Sequence, residues 1–286
     1  MSVLNLDLRS GGTDAANEQD ALRHGGRSPL ARPHPRLTER HEGWPRVSVI
    51  IPTLNEAANL PHVFARLPSD LHEVIVVDGF STDATLEVTR DLRPDARIVL
   101  QQSRGKGDAL RCGFEAATGD VLVMLDADGS ADPGEIPAFV EALVAGADFA
   151  KGTRFRDGGG SSDITRLRRY GNRGLNGVVN LLFGTAYSDL CYGYNAFWRH
   201  CLEAMSIDCT GFEVETLINI RIARAGLDIR EVPSFERDRI HGESNLRTFR
   251  DGGRVLRTIL RERVRRNPHL ADKQQPRGEV SPAGPA

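Results

Sequence analysis

Charge imbalance, cysteine and long apolar runs are all scarce in this chain, and each scarcity removes a class of function. In 286 residues, 37 basic side chains nearly cancel 39 acidic ones, so no overall field draws the protein to nucleic acid, and none is expected as a partner. The four cysteines, Cys112, Cys191, Cys201 and Cys209, show no C-x-x-C spacing, which speaks against a zinc site. With no charged-then-apolar leader at the N-terminus, they are expected as reduced thiols in the cytoplasm. The best apolar stretch, residues 178–183, falls far short of the roughly 18 to 20 apolar residues that a membrane-spanning helix needs. No internal repeat is visible. The G-x-x-x-x-G-K-S/T loop is missing as well, so ATP hydrolysis has no support.

What remains is an ordinary soluble composition, 40% hydrophobic and 27% charged, long enough to bury a full core. Residues 1–45 mix Gly, Pro, Arg, Asp and Ser without a sustained apolar period, and residues 267–286 are rich in Pro, Gly and charge. Both offer too little apolar surface to offset their ordering entropy, and both are expected as disordered tails around a folded domain at 46–266. That domain opens on Val47-Ser48-Val49-Ile50-Ile51, closed by Pro52, a β-branched run that reads as a buried parallel strand. A helix is expected from Asn55. Strands follow at 73–77, 98–101 and 121–125, with helices at 84–91 and 108–117 between them, the first capped by the Ser81-Thr82-Asp83 cluster. This alternation predicts an α/β fold, a mainly parallel sheet flanked by helices, whose ligands sit beyond the carboxyl ends of the strands. Then come a helix at 133–145, a strand at 148–153 and a mobile loop at Gly158-Gly159-Gly160. The second half is more helical: 167–183, an irregular stretch with Asp189, 214–225, a strand at 228–232 and a last helix.

Asn55, Glu56, Asp78, Asp83, Asp126 and Asp128 all fall just past predicted strand ends, along one edge of one crevice. Asp126-Ala127-Asp128 carries the argument, because two carboxylates two residues apart can aim oxygens at one divalent cation, a hard ion that also binds phosphate. Such a cation would neutralise a departing diphosphate. Asp-x-Asp alone is common on solvated loops. Here it follows Val-Leu-Val-Met-Leu, a strand too apolar for the surface. Asp78 is placed to accept hydrogen bonds from a nucleobase or ribose, or to cap the next helix. Arg104, Lys106 and Arg111 surround a Gly105/Gly107 turn that either approaches a diphosphate or is simply solvated.

These segments resemble the family 2 glycosyltransferases with a GT-A fold, a Rossmann-like nucleotide-diphospho-sugar transferase architecture. The resemblance is to the branch with dolichyl-phosphate mannosyltransferase and bacterial polyprenyl-phosphate glycosyltransferases. It runs from Val47 to about Leu260 and is carried by Val-Ser-Val-Ile-Ile-Pro-Thr-Leu-Asn-Glu (47–56), Val-Val-Asp-Gly-Phe-Ser-Thr-Asp (76–83), Gly-Lys-Gly (105–107) and Asp-Ala-Asp-Gly (126–129). Residues 152–155, 189–197 and 239–246 match later family segments. The resemblance implies a nucleotide-sugar site built from Pro52, Thr53, Asn55, Glu56, Asp78, Lys106, Asp126 and Ala127. It implies Mg²⁺ or Mn²⁺ on Asp126 and Asp128, phosphate contacts from Arg154 and Arg239, and inversion at the anomeric carbon. A GDP- or UDP-sugar donor and a polyprenyl phosphate acceptor follow, the acceptor being an anion that needs no base. A hydroxyl acceptor in a glycan or soluble metabolite would need one, and Asp189 is then preferred over Glu213 and Glu215. Where many relatives have two acids after the second strand, this chain has Asp78-Gly79; where mannosyltransferases often have Gln, it has Ser130; and the relatives' following membrane helices are missing.

Two helical patterns stay open. Val255, Leu256, Ile259, Leu260 and Val264 alternate with arginines, either as an ordinary packed helix or as a peripheral contact with the inner membrane face. Asn172, Asn176 and Asn180 recur every four residues beside an apolar face that is core or guides a lipid chain. Two other classes fit less well. A sugar-1-phosphate nucleotidyltransferase should carry a Gly-rich loop after the first strand, where Pro52-Thr53-Leu54-Asn55 stands. A non-catalytic nucleotide-sugar sensor has no need of Asp126 and Asp128 together with Arg154 and Arg239.

Overall fold

The computed structural model describes residues 44–242 and 248–265, so the tails expected at 1–45 and 267–286 lie outside the described residues, except for Trp44 and Pro45. The first half alternates as expected: β1 (Val47–Thr53), α1 (Leu60–Phe64), β2 (Glu73–Asp78), α2 (Thr85–Leu92), β3 (Arg97–Leu100), α3 (Lys106–Ala116) and β4 (Val121–Met124). After a 3-10 turn at Pro133–Glu135 come α4 (Ile136–Val144), β5 (Phe149–Thr153), β6 (Gly160–Ser161), α5 (Arg166–Phe183) and β7 (Asn195–Trp198). The chain goes on through α6 (Leu202–Met205), α7 (Val214–Arg224), β8 (Ile229–Pro233), β9 (Phe235–Glu236) and α8 (Thr248–Val264). Seven strands form one sheet in the order β3-β2-β1-β4-β7-β5-β8. All neighbours are parallel except β7, which runs antiparallel to both β4 and β5.

Strands buried on both faces read as continuous apolar runs, because successive side chains serve opposite layers. Val49 and Ile51 face one cluster with Phe139 and Val140 of α4. Ile50, Ile75 and Val77 face the other with Leu110 of α3 and Ile218 of α7.

Three local expectations are corrected. Asn55 starts no helix: its φ is 58°, a left-handed conformation that Asn tolerates, and its Oδ1 accepts the Thr82 N–H at 2.7 Å. The helix waits for Pro61 near its start at Leu60, where a missing N–H costs nothing. β7 was hidden within the irregular stretch. The glycine loop expected to be mobile contributes β6, which pairs in parallel with β9. In the 81–83 cluster, Asp83 accepts from the Thr85 N–H at 3.0 Å, while the Ser81 hydroxyl accepts from Asn55 N–H instead.

The asparagine stripe of α5 is a ladder. Asn172 Nδ2 donates to Asp189 Oδ1 and its Oδ1 accepts from Cys191 N–H. Asn176 repeats the pattern on Ser188 and Leu190, and Asn180 on Tyr187 and Thr185. Three side chains one turn apart thus fasten residues 185–191 along the helix.

α8 is held by a buried ion network. The Glu262 carboxylate, 1% exposed, meets the 6% exposed Arg221 of α7 at 2.8 Å, and Arg221 also donates to Asp208 and to the Met205 carbonyl. Removing one partner of such a pair leaves a buried charge with too little compensation. Glu262→Ala is therefore expected to lower unfolding stability by about 3 kcal/mol in a denaturant titration, whereas Glu203→Ala, an exposed acid on α6, leaves it within about 0.5 kcal/mol.

Candidate active site

A crevice of about 1070 Å³ opens beyond the carboxyl ends of β1 and β4. Because β7 is antiparallel, its amino end lies at the same edge, with Asn195 opposite Met124. Both halves of the chain therefore reach one place.

Asp126 lies two residues past the end of β4, and its carboxylate meets Lys106 Nζ at 2.6 Å. Lys106 lies at the start of α3, where Gly105 adopts φ 109°, a region that side chains other than Gly rarely enter. The same ammonium meets Glu215 Oε1, on the first turn of α7, at 2.6 Å. Burial pushes the Lys106 pKa down, but the charges and hydrogen bonds of Asp126 and Glu215 outweigh it and the net shift is upward. Burial pushes the Glu215 carboxyl up against the opposing pull of Lys106.

Two residues on, Asp128 Oδ2 accepts from Arg239 Nη2 at 2.8 Å and its Oδ1 from Ser130 N–H at 3.0 Å. Arg239 also reaches Glu56 Oε1 at 3.2 Å. The Glu56 carboxyl is raised by burial, against the hydrogen bond from Asn59 and the charge of Arg239. Backbone contacts tie the Arg239 segment down: Arg237 N–H to the Ser130 carbonyl and His241 N–H to Asn59 Oδ1. The later part of the segment read at 239–246 lies outside the described residues from 243.

Arg154 also lines the crevice, and its charge is already paired. Its guanidinium pairs with Asp189 at 2.7 and 2.9 Å and with Glu236 at 2.9 Å, and it stacks 4.9 Å from the Tyr192 ring. Asp189 is wholly buried, with Oδ1 shared by Arg154 and Asn172. Burial pushes its carboxyl up, but the hydrogen bonds and charge of Arg154 outweigh this and hold it below the usual range. An anion so engaged is a poor proton acceptor. Asp189 pairs with Arg154, and of the three candidate bases Glu215 lines the crevice while Glu213 and Asp189 do not.

Of the other predicted residues, Pro52, Thr53, Glu56, Lys106 and Ala127 line the crevice. Asp78 and Asn55 do not. Asp78 lies behind Gly79, accepting N–H groups of Phe80 and Ser81 through Oδ2, while its buried Oδ1 has no hydrogen-bond partner among the described residues. Asn55 is spent on the Thr82 loop. Arg111 turns to Asp108 and Glu115.

Three contributors were missed. Glu236 sits on a two-residue strand with no periodic signal. Tyr192 holds Arg154 from beneath, its hydroxyl 2.8 Å from Ser234 Oγ, which donates to Glu135. Gly193 lies where Asp126, Lys106 and Glu215 converge: a Cβ there would stand 2.5 Å from Glu215 Oε1 and 2.9 Å from Lys106 Nζ.

Residues 48–205 match the family model for glycosyl transferase family 2. The chain belongs to that family. It is a glycosyltransferase, and its sheet is the GT-A fold. It is 32% identical over 225 residues to the glycosyltransferase AglJ of Haloferax volcanii, covering 78% of this chain and 73% of that one. It is 33% identical over 211 residues to a dolichol-phosphate mannosyltransferase of Pyrococcus furiosus, covering 71% of this chain and only 59% of that longer one. Among solved structures, the glucosyl-3-phosphoglycerate synthase of Mycobacterium tuberculosis, in complex with Mn²⁺, UDP-glucose and phosphoglyceric acid, matches with a TM-score of 0.62 and 26% identity. That match covers 78% of this chain and 82% of the synthase.

Two expectations follow. Gly193→Ala should lower transferase turnover at least about tenfold, since a misplacement near 1 Å costs up to a hundredfold, and should also lower stability, because the new methyl parts the largely buried Lys106–Glu215 pair. Glu135 gives a pH signature: burial, against the hydrogen bonds of Ser234 and Phe235, raises its carboxyl to about 7. The protonated form is thus favoured in the folded state, a contribution fully present at acidic pH and lost as pH rises through about 7. Glu135→Gln should therefore gain on the parent by about 2 kcal/mol between pH 5 and 8, read from denaturant midpoints.

Proposed function

We propose that this enzyme transfers a hexose from a GDP- or UDP-sugar to a polyprenyl phosphate, with inversion at the anomeric carbon and with Mn²⁺ or Mg²⁺ held by Asp126 and Asp128. The observation that carries this reading is the pair of carboxylates leaving one buried strand into the crevice, each matched by a partly buried cation. The carboxylates fit a divalent ion: both are hard oxygen donors on one turn, and the Asp126 side chain is 37% exposed. Among the described residues no three metal-binding side chains gather into a cage, so diphosphate oxygens and water would complete the shell. The ion would supply charge neutralisation for the leaving diphosphate. Lys106 and Arg239, paired with these carboxylates, stand where they would also meet donor phosphates bound beside such an ion. The orphan Oδ1 of Asp78 is an acceptor for a base or ribose donor that reaches past Gly79.

The acceptor end is the far part of the crevice, where Arg168, Arg250 and Arg254 stand with Ile164, Leu175 and Val255. Cations beside apolar side chains suit a phosphate joined to a hydrocarbon chain, and the named substrate class of the Pyrococcus relative agrees. The second reading, a hydroxyl acceptor, draws on the Mycobacterium synthase, whose complex holds phosphoglyceric acid, and on Glu215. Its burial-raised carboxyl faces the crevice, which makes it the base to consider in place of Asp189.

Product formation from GDP-mannose, UDP-glucose and UDP-N-acetylglucosamine, with and without a short polyprenyl phosphate, tests both readings. Acceptor-dependent glycolipid is expected, and Asp128→Asn should reduce it about a hundredfold, as loss of several kcal/mol of charge stabilisation requires. Donor turnover without glycolipid would move the acceptor to a hydroxyl, and an Asp128→Asn variant at full rate would remove the metal from the reading.

A further inference from the structure

The two arginine-rich helices keep their acids inside. α8 contains two acidic residues, Asp251 and Glu262, both buried, while Arg250, Arg254, Arg257, Arg261 and Arg263 are exposed. α5 contains no acid at all, and Arg166, Arg169 and Arg173 are exposed. Every exposed charged side chain on the two helices is therefore an arginine, in a chain whose formal charge is −2. A random distribution of charge would not sort itself in this way.

The same helices hold apolar groups outward. Of the twelve large hydrophobic side chains exposed among the described residues, six lie here. Leu256, Leu260 and Val264, spaced by four, form one ridge of α8, with Val264 82% exposed. Leu167, Tyr170 and Leu181 of α5 are 55%, 71% and 84% exposed. Their inner neighbours Val179, Val255 and Ile259 are already buried in a shared core, so the helices need no further packing to be stable. α8 thus carries two apolar faces, of which only one is used by the fold.

We infer that α5 and α8 form a docking surface for an anionic lipid bilayer, with the leucines, Tyr170 and Val264 entering the headgroup boundary and the arginines meeting lipid phosphates. An arginine-rich helix with apolar residues interleaved on its free face lies in a membrane interface, bound by buried area and by attraction to anionic lipid together. Nucleic acid would match the arginines and leave the ridge of Leu256, Leu260 and Val264 without a partner. The crevice opens between these helices, through Gly171 and Leu175 of α5 and Arg254 and Val255 of α8, so a docked enzyme would present its acceptor end to the lipid. The inference deepens the lipid-acceptor reading, but binding is measured without donor or acceptor and stands or falls separately from it.

The test is flotation of the full chain with vesicles of phosphatidylcholine alone or mixed with phosphatidylglycerol, at low and high salt. Binding is expected only to the mixed vesicles, weaker at high salt. Arg257→Glu with Arg263→Glu should reduce it at least about tenfold, and Leu256→Ser with Leu260→Ser should weaken it at both salts. All four positions are exposed, and unchanged thermal unfolding confirms that the variants fold. Equal partition onto both vesicle types, no flotation at all, variants that float like the parent, or tighter binding to a short RNA than to the mixed vesicles would each overturn the proposal.

Discussion

A carboxylate that leaves a buried strand needs a cation within reach, and much of this molecule is arranged around that constraint. β4 is almost wholly excluded from solvent, and within four residues of its end the chain exposes two anions to a half-enclosed crevice. Lys106 and Arg239 answer them from opposite directions, one from the start of a helix before the strand, the other from a segment more than a hundred residues after it. Each brings a second acid with it, Glu215 and Glu56. Four carboxylates and two cations then form two small ion networks, in which low dielectric strengthens every pair and penalises every gap.

The first half of the chain was legible because its physics is local. Continuous β-branched runs can only be strands covered on both sides, glycine before a helix marks a turn, and an acid after a strand marks the ligand edge. The places of β1, β2 and β4, and the position of Glu56, Asp126 and Asp128 on one edge, follow from such signals, whereas Asn55, Asp78 and Asp83, read on the same edge, do not line the crevice. The failure at Asn55 is also local: capping and left-handed turning use the same residue type, and only the Thr82 partner decides between them.

The second half was less legible because its elements are defined by distant partners. β7 is a four-residue strand whose antiparallel pairing depends on β4 and β5 already standing side by side. Arg154 and Asp189 pair with each other at the crevice wall, and Glu236, which completes the set, lies on a strand of two residues. No single-sequence pattern distinguishes an arginine that waits for phosphate from one that holds a loop. The arginine-rich last helix shows the same ambiguity in reverse: its periodicity announced one apolar face, whereas the fold buries Val255 and Ile259 and leaves Leu256 and Leu260 outside.

The asparagine ladder of α5 sets the two sides of the crevice apart in their response to solution conditions. On the donor side, geometry is held by ions, which salt screens and protons remove. Along residues 185–191 three neutral asparagine amides share the work with two carboxylates, Asp189 and Glu231. A stretch without regular secondary structure thereby takes on the stiffness of the helix beside it, and the share of its hold that comes from amides is one that neither protons nor salt can remove.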